Sequence, residues 1–227
     1  MRALVLADGA SPTRAALDAA WPDWDVPLDL VIAADGGARL ADSLGLPIDR
    51  WVGDGDSLGG PGIDALRTRG VSVDLAPADK AESDAELGLL AAAAAGATDL
   101  VLLGALAGPR PDHALANIVL LGHPALRGRR VTILDPAARI RFLEAPDSAG
   151  QPVWLLLPGR IGDTVSLLPL EDVHGVTTEG LRFPLSDESL DFGPTRGLSN
   201  IRVATTASVR IRSGRLLVIE APARLST

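Results

Sequence analysis

The chain has 227 residues, 47% of them hydrophobic, enough to bury a core in one large domain or two modest ones. Its net charge of −8 argues against a general nucleic-acid binder, and the absence of cysteine excludes disulfides and thiolate metal sites. No apolar run reaches the roughly 18 residues of a membrane helix, and residues 1–8 meet an acid too soon for a signal peptide; a cytoplasmic protein with no membrane partner is expected.

In chain order, residues 3–6, 28–33, 51–52, 71–75, 100–103 and 131–134 read as strands, several apolar on both faces as a covered parallel sheet requires. Residues 15–20, 38–44, 63–69, 84–95 and 114–121 read as the helices between them, with Gly45, Gly70, Gly96 and Gly122 placed as stops. This βα repeat predicts an open, doubly wound, mostly parallel α/β domain over residues 1–140. Residues 144–152 read as a linker or exposed turn. Beyond them the chain offers strands at 153–157, 164–168, 180–185 and 201–205, then a hairpin of 208–212 with 215–219 around Ser213-Gly214. Residues 141–227 are therefore expected to form a small β-sandwich.

The polar clusters all follow strands of the first half: Asp8-Gly9, Asp35-Gly36-Gly37, Gly53-Asp54-Gly55-Asp56, the segment from Asp79 to Asp84, and the one from Gly104 to His113. Ligands of open α/β sheets bind outside the carboxyl ends of the strands, so these acids should converge. Asp54 and Asp56 are the most informative pair. Two carboxylates about 4 Å apart repel by roughly 4 kcal/mol at an effective dielectric near 20, so they are solvated, partly protonated or neutralised by a metal. With no thiolate available, that metal is held by oxygen or imidazole, and oxygen favours a hard ion such as Mg²⁺. A phosphatase-like nucleophile loop and a plain acidic turn are the competing readings. An EF-hand fails, because its fifth and twelfth positions would be Leu58 and Ala65.

Lys80 is the only lysine and follows Asp79, so a Walker A loop is excluded, and no Gly-x-Gly-x-x-Gly follows a strand. Ser83 and Glu86 read as a capping box for the next helix, which leaves Lys80 and Asp84 unexplained beside an acidic crevice; a cation followed by a helix N-terminus is a plausible phosphate grip. Arg110 is a bidentate donor suited to phosphate, Asp112 reads either as a helix cap or as a site acid, and His113 either as a structural imidazole or as a base, with Asn117 one turn further.

Taken in order, Asp35-Gly36-Gly37, Gly53-Asp54-Gly55-Asp56-Ser57-Leu58, Lys80 with Ser83-Asp84-Ala85-Glu86, Gly104-Ala105-Leu106 with Arg110, Asp112-His113 and Asn117, then Ser166-Leu167-Leu168-Pro169, Gly175-Val176-Thr177-Thr178-Glu179-Gly180 and Gly197-Leu198-Ser199-Asn200, resemble the thiamine pyrophosphokinase family over nearly the whole chain. The resemblance implies a homodimer that moves a pyrophosphoryl group from ATP to the hydroxyl of thiamine, giving thiamine diphosphate and AMP. It implies Mg²⁺ held by Asp54, Asp56 and Asp84 with Asp35 nearby. Lys80, Ser83, Arg110, Asp112, His113 and Asn117 would lie at the ATP site, and Leu198, Ser199 and Asn200 in the thiamine pocket. Three positions depart from the family pattern: Gly55, where an aromatic residue is usual, Ala81, where a polar group is usual, and one extra residue before Arg110. A pterin-like hydroxymethyl acceptor and a non-catalytic thiamine or nucleotide sensor are the alternatives.

Overall fold

The computed structural model describes residues 1–9 and 12–223. The chain divides into two compact units, Met1–Pro136 and Ala137–Thr227.

The first unit alternates strands and helices: β1 Arg2–Leu6, α1 Arg14–Ala20, β2 Leu30–Ala34, α2 Gly37–Leu44, β3 Arg50–Gly53, α3 Gly59–Thr68, β4 Ser72–Leu75, α4 Asp84–Ala94, β5 Asp99–Leu103, α5 Pro111–Leu120, a 3-10 turn at Pro124–Leu126, and β6 Arg130–Asp135. Its strands are all parallel and lie in the order β6-β5-β1-β2-β3-β4. The unbroken apolar runs of β1 and β5 are the central strands. Residues 3–6 and 100–103 are buried almost completely because helices cover both faces. Strand order reverses between β1 and β5, with β2 on one side of β1 and β5 on the other, and that reversal opens a crevice at their carboxyl ends.

Two helix boundaries differ from the expectation. Helix α3 begins at Gly59, four residues before the apolar periodicity starts, because Pro61 is tolerated in a first turn where its missing N–H costs nothing. Helix α5 begins at Pro111, three residues before the expected start, and its cap residue Leu121 stays helical at φ −58, so Gly122 is not the left-handed stop that Gly45 is at φ 66. Gly88 in α4 lies so close to the sheet that an added Cβ would be 2.6 Å from Val5 Cγ1; this absence of a side chain lets α4 settle onto β1.

The second unit contains β7 Ala138–Ala145, β8 Val153–Pro158, β9 Thr164–Pro169, β10 Val173–Glu179, β11 Glu188–Leu190, β12 Asn200–Ile201, β13 Thr206–Ile211 and β14 Gly214–Ala221, with no helix among its described residues. Two antiparallel sheets, β12-β9-β14-β7 and β11-β10-β13-β8, enclose Leu143, Leu157, Val165, Leu167, Val176, Val209, Ile211, Leu216 and Val218. This is the β-sandwich expected, but its connections differ from those read in the sequence. The segments 208–212 and 215–219 do not form a hairpin. Strand β13 pairs with β8 and β10, whereas β14 pairs with β7 and β9, so Ser213 carries the chain from one sheet to the other. Both segments have an apolar face, and placing them in opposite sheets lets those faces meet across the core instead of lying side by side.

Residues 180–185 are a turn rather than a strand. Gly180 has φ 70, Leu185 N donates to Thr178 Oγ1 at 2.8 Å, and Pro184 has no N–H for a ladder. The strand expected over 201–205 stops at Ile201, after which Arg202 turns inward and is fully buried. Residues 144 and 145 end β7, so the turn itself starts at Pro146, where Asp147 Oδ1 accepts from Ala149 N and Gln151 N at 2.9 and 2.8 Å. Residues 137–140, which the sequence reading gives to the first domain, lie in the second unit, because Arg139 and Ile140 pair with Glu220 and Ile219 of β14. No helix among the described residues is long and apolar enough to cross a membrane.

Candidate functional site

The crevice of the first unit holds a cavity of about 420 Å³ bounded by the segments after β1, β2, β3 and β5, by Lys80, Glu82 and Ser83 before α4, and by Asp84 and Ala85 in its first turn. Asp35, Asp56, Lys80, Ser83, Asp84, Arg110, His113 and Asn117 line it. Asp112 is not on that wall, and neither is Asp54, which is bonded to the lining residue Lys80.

Asp35 is the most constrained of the acids. It is 4% exposed and has φ 45, a left-handed backbone uncommon outside glycine, held there because its N–H donates to Val52 O at 2.8 Å and its carbonyl accepts from Trp51 Nε1 at 2.9 Å. Its Oδ1 is buried without a hydrogen-bond partner. Burial raises its carboxyl above the usual aspartate range, opposed by the nearby Ser57 hydroxyl and reinforced by the charges of Asp84 and Asp56.

One carboxylate oxygen from each of Asp35, Asp54 and Asp56 lies within 4.8 Å of the others. The loop after β3 makes this possible. Asp54 Oδ1 accepts from Asp56 N at 3.1 Å, and Ser57 Oγ donates to Asp56 Oδ1 at 3.2 Å. Gly55 sits at φ 82, and an added Cβ would be 2.5 Å from Ile63 Cδ1 and 3.7 Å from Leu75 Cδ2. Those two aliphatic side chains fill the space that a side chain at this position would take.

Lys80 is held between acids. Its Nζ lies 2.8 Å from Asp54 Oδ2 and 3.1 Å from Asp84 Oδ1, with the side chain 10% exposed. Burial works against its charge, but the bonds to Asp54 and Asp84 outweigh that and raise the ammonium's pKa. The Lys80 hydrogen bond in turn lowers the pKa of Asp54. Asp84 is thus brought to Lys80 rather than into the Asp35, Asp54 and Asp56 trio. Ser83 caps α4 by accepting from Glu86 N at 3.2 Å, but only half of the capping box forms: the Glu86 carboxylate lies 3.3 Å from His123 Nε2 instead.

Arg110 and Asp112 pair with each other on the surface, Nε to Oδ1 at 3.0 Å and Nη2 to Oδ2 at 2.6 Å, and Arg110 holds the Asp112 carboxyl down at about 2. Asp112 does not cap α5, because the cap position is Arg110 and Asp112 follows Pro111 inside the first turn. The side-chain amide of Asn117, 9% exposed, donates to Ala105 O at 2.9 Å and ties α5 to the loop after β5.

Arg39 is a residue the sequence reading left out. It donates to both Asp8 oxygens at 2.8 and 2.9 Å and to Ser57 O at 3.1 Å, joining the loops after β1 and β3. Its position four residues after Asp35, in the first turns of α2, was the available signal.

In the second unit, Leu198 is 45% exposed, and Ser199, at φ 61, donates its N–H to Ser166 Oγ at 3.0 Å. The Asn200 amide brackets the Phe183 backbone, accepting from its N at 3.0 Å and donating to its O at 2.7 Å. That leaves the Phe183 ring exposed beside a fixed polar turn.

Two family models match the chain: "Thiamin pyrophosphokinase, catalytic domain" over residues 26–133, and "Thiamin pyrophosphokinase, vitamin B1 binding domain" over residues 156–216. The chain is 23% identical over 185 residues to thiamine pyrophosphokinase of Bacillus subtilis (strain 168), spanning 81% of this chain and 83% of that protein. Its fold is similar to the crystal structure of the Bacillus subtilis enzyme, with a TM-score of 0.80, 22% identity and coverage of 97% of this chain and 99% of that one. A thiamin pyrophosphokinase family protein from Enterococcus faecalis gives 0.80 at 23% identity, covering 98% and 99%, and yeast thiamin pyrophosphokinase gives 0.73 at 17%, covering 98% and 86%.

Proposed function

The chain belongs to the thiamin pyrophosphokinase family, and we propose that it transfers the β,γ-pyrophosphoryl group of ATP to the hydroxyl of thiamine, with Mg²⁺, as a cytoplasmic homodimer. The observation that carries the reading is the carboxylate trio of Asp35, Asp54 and Asp56 beside Lys80 at a cavity of about 420 Å³ on the strand-order reversal. With both family models named for thiamine pyrophosphokinase, neither a pterin-like acceptor nor a sensor role is favoured.

The donor set fits a hard divalent cation. It is all oxygen, its charges repel unless neutralised, and the buried Asp35 Oδ1 has no hydrogen-bond partner. Asp35, Asp54 and Asp56 would hold the ion, and Asp84 acts through Lys80. When bound, Mg²⁺ neutralises charge on phosphate oxygens. The chain's own residues do the rest. Lys80 and Arg110 bind phosphate oxygens, Ser83 fixes the start of α4 at the cavity wall, and Asn117 holds the loop after β5 in place. The thiamine hydroxyl oxygen bonds to the β-phosphorus, and the bond from that phosphorus to the oxygen it shares with the α-phosphorus breaks. AMP leaves, and the hydroxyl proton passes to a carboxylate of the Asp35 and Asp56 pair. Leu198, Ser199 and Asn200 position the acceptor, with the exposed Phe183 ring available for stacking.

Purified protein with thiamine, ATP and Mg²⁺ is expected to release AMP in step with thiamine diphosphate, and to stop when the cation is chelated. Absence of AMP from folded protein overturns the reading. Light scattering that finds a monomer removes the homodimer.

A further inference from the structure

Lys80 is the only lysine in the chain, and in the free protein it serves the acids of the crevice. Asp54 and Asp84 hold this single ammonium between them, and Asp54 is in turn grouped with Asp35 and Asp56. Asp54 accepts from the Asp56 N–H at Oδ1, 3.1 Å, and from Lys80 Nζ at Oδ2, 2.8 Å. Each oxygen keeps a lone pair for a cation, but a dication on Asp54 would repel the ammonium beside it, whereas the Asp56 N–H is neutral. The Asp56 N–H belongs to the tight loop after β3, whereas Lys80 lies outside regular structure, between β4 and α4, on a flexible four-carbon stem. Lys80 also lines the cavity, so an ammonium leaving Asp54 has room to turn towards an anion there.

From this we infer that Lys80 is a displaceable internal counter-ion. It neutralises Asp54 while no divalent cation is bound, competes with that cation for the carboxylate, and on displacement becomes free to take a phosphate oxygen. The consequence is an order of events, with the cation loading the acids first and the ammonium reaching the nucleotide second. The inference rests on the acid trio being a cation site and not on which acceptor is phosphorylated.

The test uses the full-length protein labelled with ¹³C and ¹⁵N only in lysine, which gives a single set of side-chain signals. Mg²⁺ is titrated with no nucleotide present, and its binding is followed in parallel by calorimetry. The Lys80 ε-methylene signal is expected to move and narrow, as for a mobile lysine, with the same midpoint as the calorimetric isotherm. Lys80→Met, checked for its fold by circular dichroism, is expected to bind Mg²⁺ about tenfold more tightly or better, since one competing positive charge is gone. A Lys80 signal that stays fixed while Mg²⁺ saturates the protein overturns the inference. So does Lys80→Met binding with equal or weaker affinity, and so does absence of Mg²⁺ binding in both proteins. Because neither ATP nor thiamine is used, this outcome is independent of the AMP assay: an active enzyme with an unmoved Lys80 loses only the counter-ion, and an inactive protein with a mobile Lys80 loses only the phosphotransfer reading.

Discussion

Each unit contains an unbalanced cluster of charge, and the two are resolved in opposite ways. In the first unit, Asp54 and Asp84 share the Lys80 ammonium, Asp35, Asp56 and Asp84 face a cavity, and a buried oxygen of Asp35 is left without a hydrogen bond. In the second, Arg139, Arg141 and Arg202 surround Glu220, which is 1% exposed, and the surplus positive charge is absorbed by backbone. Arg202 donates to Leu157 O, Arg141 to Leu156 O and Arg139 to Pro158 O, while all three reach the Glu220 carboxylate. Burial, with the neighbouring guanidiniums, brings Arg141 down to about 10 despite the Glu220 charge. A sealed cluster of this kind is a structural device, because Glu220, Arg141 and Arg202 are buried and bonded to one another and to the carbonyls of β8, and Arg141 Nε and Arg202 Nε, which have no partner, are buried with them. An open one keeps unspent valence, and unspent valence next to a cavity is what a ligand can use.

The largest effect that sharpens this contrast is expected from Glu220→Gln. It leaves three guanidiniums facing a neutral amide in a buried site, and chemical denaturation should show a loss on the order of 3–5 kcal/mol. A loss comparable to that of a surface ion pair would place the sandwich cluster with the exposed pairs.

Next comes Asp56→Asn, for which turnover is expected to fall by roughly 10²–10³ while the unfolding midpoint stays close to that of the parent. Unimpaired turnover would remove Asp56 from the site, and a collapse in stability would erase the distinction between the two clusters.

The smallest effect is the most diagnostic. The folded-state carboxyl of Asp35 is raised, so the native state holds its proton more tightly than the unfolded chain does. The stability this contributes is complete below the ordinary aspartate pKa and is lost as pH rises through the folded value. In metal-free buffer Asp35→Asn should therefore melt a few degrees higher than the parent at pH 7, and the difference should vanish near pH 4. Asparagine tolerates the left-handed backbone, so strain does not mask the result. A lower melting temperature at pH 7 would mean that the charged carboxylate is already compensated in the free protein.

The placement of the acids at strand ends was legible in the sequence, since an apolar run followed by Asp and Gly is a local signal. Which acids meet was not. Asp35 joins Asp54 and Asp56 through the parallel pairing of β2 with β3, where Ala34 lies opposite Val52, and Asp84 is drawn aside by Lys80. The Arg202 and Glu220 pair left no trace in the sequence, because the two residues are eighteen positions apart and meet only when β12 and β14 flank the same strand, β9.

Taken alone, the sequence determined the βα alternation of the first unit, the sandwich class of the second and the identity of the crevice-lining segments. These depend on periodicity and turn chemistry over a few residues. Tertiary structure alone decided that β13 and β14 belong to different sheets and that Lys80 is bonded to Asp54. Each of these follows from long-range covering of apolar faces or from charges brought together across the sheet, and no short window of sequence contains both partners.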